Sequence, residues 1–205
     1  MGKLEANKQQ KLTSLLNTAF NLFTTQGVTK TSIAEISQKA GIAKSTFYLY
    51  FKDKYDIRNR LISHESSKLF KNAVADLEEF SKEKNEQLGF EEKIIFIINH
   101  IVDELNSNQT LLTFISKNLS WGIFKEALTT KVASDDINFK DVYYEMINAE
   151  DISLEEPEIM LFLIVELVSS TCYSAILYKE PADIDTIKPY LFKTVRAIIR
   201  EHTIR

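Results

Sequence analysis

Glycine and proline are scarce in this chain: its 205 residues include five glycines and three prolines. Both residues mark tight turns, so their scarcity favours long elements joined by few connections. Apolar residues recur three and four positions apart along most of the chain, and we find no segment in which they alternate with polar ones. The sequence therefore predicts an all-α fold.

The charge is unevenly distributed along the chain. The net charge is −4, from 25 basic and 29 acidic residues. Residues 1–60 contain ten Lys or Arg and four Asp or Glu, a balance of +6, so the remaining residues carry −10. A basic segment on an acidic body indicates a local site for a polyanion.

Targeting and redox signals are few. The single cysteine, Cys172, excludes an internal disulfide framework and fits a reducing compartment. The N-terminus, MGKLEANKQQK, has no apolar run typical of a signal peptide. The longest apolar runs, such as MLFLIV at 160–165, are shorter than the roughly 18 residues that a membrane helix needs. We expect a soluble protein of the cytoplasm with no membrane segment.

The first sixty residues are patterned as short helices. Residues 8–26 have the spacing of an amphipathic helix, which Gly27 ends as a C-cap. Thr31 or Ser32 can cap a second helix, which stops at Gly41. Two short helices joined at a glycine are typical of a helix-turn-helix, whose second helix enters the major groove of DNA.

The stretch KAGIAKSTFYLYFKDK places four lysines among four aromatic rings. A third helical segment from Lys44 to about Phe51 would bury Phe47 and Phe51, which are four residues apart. The outward positions would then be Lys44, Ser45, Thr46, Tyr48, Leu49 and Tyr50, and Lys54 would open the next helix. Ammonium groups, hydroxyls and phenols are the donors that phosphate oxygens and base edges accept.

The segment TSIAEISQKAGIAKSTFYLYFKDKYDI, residues 31–57, resembles the DNA-binding region of the TetR family of bacterial transcriptional regulators. The resemblance covers about residues 8–60. It implies a DNA-binding domain of three helices at 1–53, followed by a larger helical domain at 54–205 for effector binding and dimerisation.

The resemblance also implies roles for individual residues. Phosphate contacts would come from Ser32, Thr46, Tyr48, Tyr50 and Lys54, and base contacts from Lys44, Ser45 and Leu49. Three positions depart from the family pattern. Ala43 stands where a capping serine is common, which should weaken the third helix by roughly 1 kcal/mol. Leu49 and Ala34 would offer a base only apolar contact.

The acidic part is predicted to be helical throughout. The predicted helices span about 54–81, 90–106, 109–118, 120–130, 138–149, 154–179 and 184–202. We expect the helix at 154–179 to open with a capping box formed by the residues around Ser153. Its body is apolar nearly all round, so it must be covered on two sides. A second copy of the helix can provide one cover, and the alternative is a large monomeric core.

In the resembled family the last two helices pair across a two-fold axis, which implies a homodimer on a palindromic double-stranded DNA operator. Candidates for an effector pocket are Asn99, Phe114, Trp121, Phe124, Tyr143, Glu166 and Tyr173. We place Asn99 on the side of Ile95 and Val102. Glu166 lies within an apolar run, where a carboxylate is either satisfied across an interface or marks a ligand site.

These observations favour a DNA-binding repressor released by a small-molecule effector. A regulator without an inducer, controlled by a partner protein or acting as an activator, stays open. An all-α enzyme lacks the Glu-x-x-His pairs of di-metal bundles and a glycine-rich phosphate loop. His100 could share a metal with Asp103 and Glu104, but no second cluster supports this, and we expect no metal site and no cofactor.

Overall fold

The computed structural model describes residues 3–84, 87–118, 139–150 and 152–204. The described residues contain nine helices: α1 Lys3–Thr25, α2 Ile33–Lys39, α3 Lys44–Phe47, α4 Lys54–Lys84, α5 Phe90–Ser107, α6 Gln109–Asn118, α7 Phe139–Asn148, α8 Pro157–Leu177 and α9 Ile184–His202. Among these residues the only β pairing is an isolated antiparallel bridge between Leu154 and Thr203. The predicted all-α fold is confirmed. The helix predicted at 120–130 lies outside the described residues.

The described residues form two compact units. The N-terminal unit extends into α4 as far as Ser66, and the C-terminal unit comprises Ser67–Lys117 and the described residues from 139 onward. The functional boundary that we place between residues 53 and 54 stays a prediction.

The N-terminal unit is held by an apolar core shared by its helices. The core side chains are almost completely buried; they include Leu15, Leu16, Ala19, Phe23, Ile36, Phe47, Phe51 and Ile57. Leu15 and Ala19 come from the predicted apolar stripe of α1, and Ile36 comes from that of α2. The burial of these apolar side chains is the main source of stability for so small a unit.

Two glycines end α1 and α2 in the conformation that the sequence predicts. Gly27 has φ +85° and Gly41 has φ +69°, both in the left-handed region where a side chain is strained. A Cβ at either position would meet no atom within 4 Å, so backbone conformation rather than space requires glycine there.

The N-caps of α2 and α3 agree with those predicted from the sequence, and the N-cap of α8 differs. Ser32 caps α2, since its hydroxyl accepts a hydrogen bond from the Glu35 N–H at 3.1 Å. Ala43 precedes α3 and provides no side-chain cap. The capping box predicted for α8 is wrong: its N-cap is Glu156, which has φ +47° and makes no capping bond. Because α8 begins at Pro157, Ser153 lies three residues before the N-cap and is not in the position from which a capping box is formed.

The C-terminal unit has its own apolar cluster. Phe70, Ala73, Leu77 and Ile97 are buried, with partly buried apolar side chains packed around them from α5 and α7, among other segments. Glu150 connects the end of α7 to the start of α5. Its carboxylate accepts hydrogen bonds from the Phe90 N–H at 2.5 Å and the Lys93 ammonium at 2.6 Å.

The two C-terminal helices pack against each other, and α8 is the more apolar of the two. Among the described residues, only α8 is both long and apolar enough to cross a bilayer, judged by length and composition alone. The core helix of a soluble protein can pass the same test. The sequence analysis considered only uninterrupted apolar runs, and Glu158 and Glu166 interrupt those of α8. One-third of the apolar span is buried within the chain. The outward face of α8 includes Ile159, Leu163, Glu166 and Ser170.

Candidate nucleic-acid interface

The third helix, α3, is shorter than the segment predicted from Lys44 to about Phe51, but hydrogen-bonded turns continue the chain as far as Phe51. The α-helix ends at Phe47, and backbone hydrogen bonds then join the Tyr50 and Phe51 N–H groups to the Phe47 carbonyl at 2.9 and 3.0 Å. We call residues 44–51 the reading segment. The missing cap at Ala43 is consistent with so short an α-helical part.

Two phenylalanines fix the orientation of the reading segment. Phe47 and Phe51 are 0% and 1% exposed, so one side of the segment is anchored in the core. Tyr48 and Leu49 are 51% and 82% exposed, and Lys44 and Ser45 are also exposed. The Tyr48 ring meets the Phe47 ring edge-on, with 5.6 Å between their centroids. The predicted outward side is therefore present at these four positions.

Thr46 and Tyr50 are half-buried, at the edge of this outward side. The Tyr50 hydroxyl donates a hydrogen bond to the backbone carbonyl of Lys8, at 3.3 Å. This bond joins residues that are 42 positions apart, and no short-range pattern in the sequence indicates it.

Lys54 opens α4 as predicted, but its ammonium group is already engaged. Its Nζ donates hydrogen bonds to the carbonyls of Thr29 at 2.9 Å and Thr31 at 3.1 Å. An ammonium has three N–H groups, so one is left for a phosphate. Lys54 therefore holds the connection between α1 and α2 against the start of α4, whatever else it contacts.

The positive end of α4 is also occupied. The Asp53 carboxylate accepts hydrogen bonds from the N–H groups of Tyr55 and Asp56, at 2.7 and 2.9 Å. These are the groups that a helix N-terminus would otherwise offer an anion. Tyr55, which the sequence analysis did not select, lies half-exposed, with the cations of Lys54 and Arg58 5.6 and 5.4 Å from its ring centroid.

Ser32 can cap α2 and still donate to a ligand. Its oxygen accepts from Glu35, which leaves the hydroxyl proton available at an exposed position. Glu35 itself accepts from Gln26 and Lys39, and these two hydrogen bonds, that from Gln26 being the larger cause, lower the pKa of its carboxyl. The carboxylate next to the predicted interface is thereby held in its ionised form by Gln26, which follows α1, and by the Lys39 ammonium on α2.

The predicted effector residues occupy different surroundings. Phe114 and Tyr143 are buried, and the Tyr143 hydroxyl donates to the Pro157 carbonyl at 3.0 Å. Burial raises the pKa of Tyr143. The Tyr173 hydroxyl pairs with that of Tyr178 at 3.1 Å. Trp121 and Phe124 lie outside the described residues.

Two of these residues are nearer the surface. Glu166 is exposed on the outward face of α8. Asn99 is half-buried. It donates to the Asp103 carboxylate at 3.0 Å and lines an open cleft of about 380 Å³ along α5.

His100 lines the same cleft, between two carboxylates. Its Nδ1 lies 3.0 Å from Asp76 and its Nε2 lies 3.4 Å from Glu104. Within the described ranges no group of three or more His, Cys, Asp or Glu side chains is arranged to hold a metal ion.

Comparison with known proteins identifies the N-terminal unit. Residues 15–61 match the model of the family described as bacterial regulatory proteins, tetR family. The HTH-type transcriptional regulator AcrR of Shigella flexneri is 38% identical over 55 residues, which are 27% of this chain and 26% of that protein. The fatty acid metabolism regulator protein of Bacillus subtilis is 30% identical over 93 residues, 45% of this chain and 44% of that protein. The chain thus aligns with less than half the length of each relative.

Similarity to solved structures extends over nearly the whole chain. A protein from Shewanella sp. PV-4 assigned to the tetR family has a TM-score of 0.67 at 15% identity, covering 95% of this chain and 99% of that one. The regulator FadR of Bacillus subtilis, solved with stearoyl-CoA, has a TM-score of 0.56 at 16% identity, covering 91% and 98%. At these identities the structures support the fold alone. Residues 15–61 therefore match the tetR family of bacterial regulatory proteins, and the chain as a whole shares the all-α fold of solved structures assigned to that family.

Proposed function

We propose that the protein is a transcriptional regulator that binds a palindromic operator in double-stranded DNA as a homodimer. The observation that carries the proposal is the geometry of the reading segment. Its two buried phenylalanines leave Lys44, Ser45 and Tyr48 exposed within the basic N-terminal unit. Such side chains supply the phosphate and base contacts of a helix-turn-helix.

The proposed DNA contacts are those predicted from the sequence, apart from Tyr50, whose hydroxyl donates to the Lys8 carbonyl. Base contacts are assigned to Lys44, Ser45 and Leu49, and phosphate contacts to Ser32, Thr46 and Tyr48. Lys54 retains one N–H group for a phosphate beside its two structural hydrogen bonds. The match of residues 15–61 to a family of regulatory proteins favours this function over an enzyme.

The test starts from a random pool of DNA duplexes, because the operator is unknown. Rounds of selection on the purified protein should enrich a palindrome with half-sites about 34–36 Å apart or a multiple of that spacing. A pool that shows no enrichment would contradict the proposal. The Lys44→Ala variant should lose the enriched sequence preference and keep its fold, as judged by circular dichroism.

A homodimer through α8 and α9 is proposed from the exposed apolar side chains on the outward face of α8. Ile159 and Leu163 are 49% and 41% exposed in the single chain, and Tyr190 on α9 is also exposed. A second copy would cover these side chains. Sedimentation should give twice the chain mass for the wild type and a smaller mass for Leu163→Glu. Asn106→Glu, at an exposed position of α5, is the control and should stay dimeric.

We further propose that the protein acts as a repressor and that a small molecule bound in the C-terminal unit releases it from DNA. The Bacillus subtilis regulator FadR, which shares this fold, was solved in complex with stearoyl-CoA. That complex supports the proposal that the C-terminal unit binds a small molecule. A ligand that binds only the DNA-incompetent state shifts the population without any direct contact with the operator. Native mass spectrometry of the purified dimer should show a bound small molecule. Long-chain acyl-CoA is the first compound to titrate against the DNA complex.

The protein is proposed to work in the cytoplasm, in agreement with DNA binding and the single cysteine. A second copy covering α8 accounts for its apolar composition without a membrane.

A further inference from the structure

The Tyr50 hydroxyl has one proton, and that proton is directed at α1. A phenol O–H can donate a single hydrogen bond, and here the acceptor is the Lys8 carbonyl, 3.3 Å away. A phosphate oxygen contacted by a neutral phenol needs the same proton. Tyr50 therefore cannot bind phosphate and keep its bond to Lys8.

The bond brings a cationic residue beside the reading segment. Lys8 is exposed, and its backbone is joined directly to Tyr50 at the half-buried edge of residues 44–51. The whole of α1 contains three lysines and one carboxylate, Glu5, so no nearby cluster of acidic groups on α1 would repel a phosphate.

We infer that Lys8 is a DNA-phosphate contact of this protein, and that Tyr50 is a positioning residue whose hydroxyl holds the N-terminal part of α1 beside the reading segment. This inference rests on the proposed DNA binding. It assigns to α1 a part of the interface that the sequence analysis gave to Tyr50.

The two roles predict different behaviour in salt. Lys8→Gln removes one cation and keeps a side chain of similar length. Its affinity for the selected duplex should fall by roughly three- to tenfold, and the slope of log affinity against log salt should decrease by about 1. Lys82→Gln removes a cation from an exposed position near the end of α4 and should change neither quantity.

A double-mutant cycle separates positioning from direct contact. Tyr50→Phe removes only the hydroxyl, and if that hydroxyl orients α1, the loss caused by Lys8→Gln should be smaller in the Tyr50→Phe background. Tyr48→Phe is the matched control, because the Tyr48 hydroxyl is proposed to reach phosphate itself. The fold-losses in DNA affinity caused by Tyr48→Phe and by Lys8→Gln should multiply in the double variant, because the two contacts are independent.

The experiment measures anisotropy of a labelled duplex at four or more salt concentrations, with unfolding midpoints confirming that each variant is folded. Reduced affinity and slope for Lys8→Gln, coupled to Tyr50→Phe, support the inference. Wild-type affinity and slope for Lys8→Gln, or independent effects of the Lys8 and Tyr50 substitutions, would overturn it while leaving the proposed function intact. A wild-type protein that binds no duplex would overturn the proposed function itself.

Discussion

The rings of Phe47 and Phe51 lie 5.4 Å apart between centroids and are inclined by 44°. Both are buried, and they belong to successive turns of one short segment. Since residues four apart share one face of a helical segment, burying this pair determines which of their neighbours face outward. The candidate interface is the other side of that segment.

Removal of the Phe47 ring should destabilise the N-terminal unit strongly. Phe47 is completely buried, so Phe47→Ala leaves a cavity in the core. The free energy of unfolding should fall by about 3–5 kcal/mol. Tyr48→Ala, at the adjacent half-exposed position, should cost less than about 1 kcal/mol. Urea unfolding followed by circular dichroism measures both. Similar losses for the two variants would show that the segment is not anchored through Phe47.

A serine at position 43 should stabilise the protein. Ala43 has the extended conformation of an N-cap residue, φ −62° and ψ 141°, and lacks only the side-chain acceptor. Ala43→Ser should add about 1 kcal/mol to the free energy of unfolding. The reverse change at the working cap, Ser32→Ala, should remove about as much. A loss of stability in Ala43→Ser, measured in the same urea titration, would contradict the assigned cap.

Lys54 should contribute to stability as well as to any DNA contact. Lys54→Met keeps the aliphatic stem but leaves the Thr29 and Thr31 carbonyls without their donor. We expect a loss of about 1–2 kcal/mol, since both bonds are charge-assisted and partly exposed to water. Lys52→Met removes the same charge from an exposed position and is the control. Equal unfolding midpoints for the two variants would argue that Lys54 has no structural role.

Cys172 should be unreactive in the folded protein. Burial raises the pKa of its thiol from 9.0 to about 12. Between these values only the unfolded thiol ionises, so the unfolded state binds fewer protons and stability falls as the pH rises. Relative to Cys172→Ala, the wild type should lose about 1 kcal/mol between pH 7.5 and pH 10. Labelling with a thiol reagent at pH 8 should follow unfolding, and rapid labelling of the native protein would contradict this environment.

The sequence was most informative where the physical cause is local. Apolar spacing located the buried side of the reading segment, and glycine conformation located the ends of α1 and α2. Ser32 was one of two caps that the spacing allowed. Each of these features depends on residues within about one helical turn of each other.

The sequence was least informative where the partner is distant. Nothing near Tyr50 indicates that its hydroxyl binds the carbonyl of Lys8, and nothing near Lys54 indicates the carbonyls of Thr29 and Thr31. The apolar neighbours of Glu166 in sequence left two alternatives, an interface or a ligand site. Only the structure places its carboxylate on the outward face of α8.

The most direct test of the central claim is the salt dependence of DNA binding by the reading segment. Anisotropy of the selected palindromic duplex should give an affinity that falls steeply with salt. Lys44→Ala should reduce both the affinity and the preference over a scrambled duplex. Equal affinity of wild type and Lys44→Ala for both duplexes at every salt concentration would contradict the assignment of this surface to DNA.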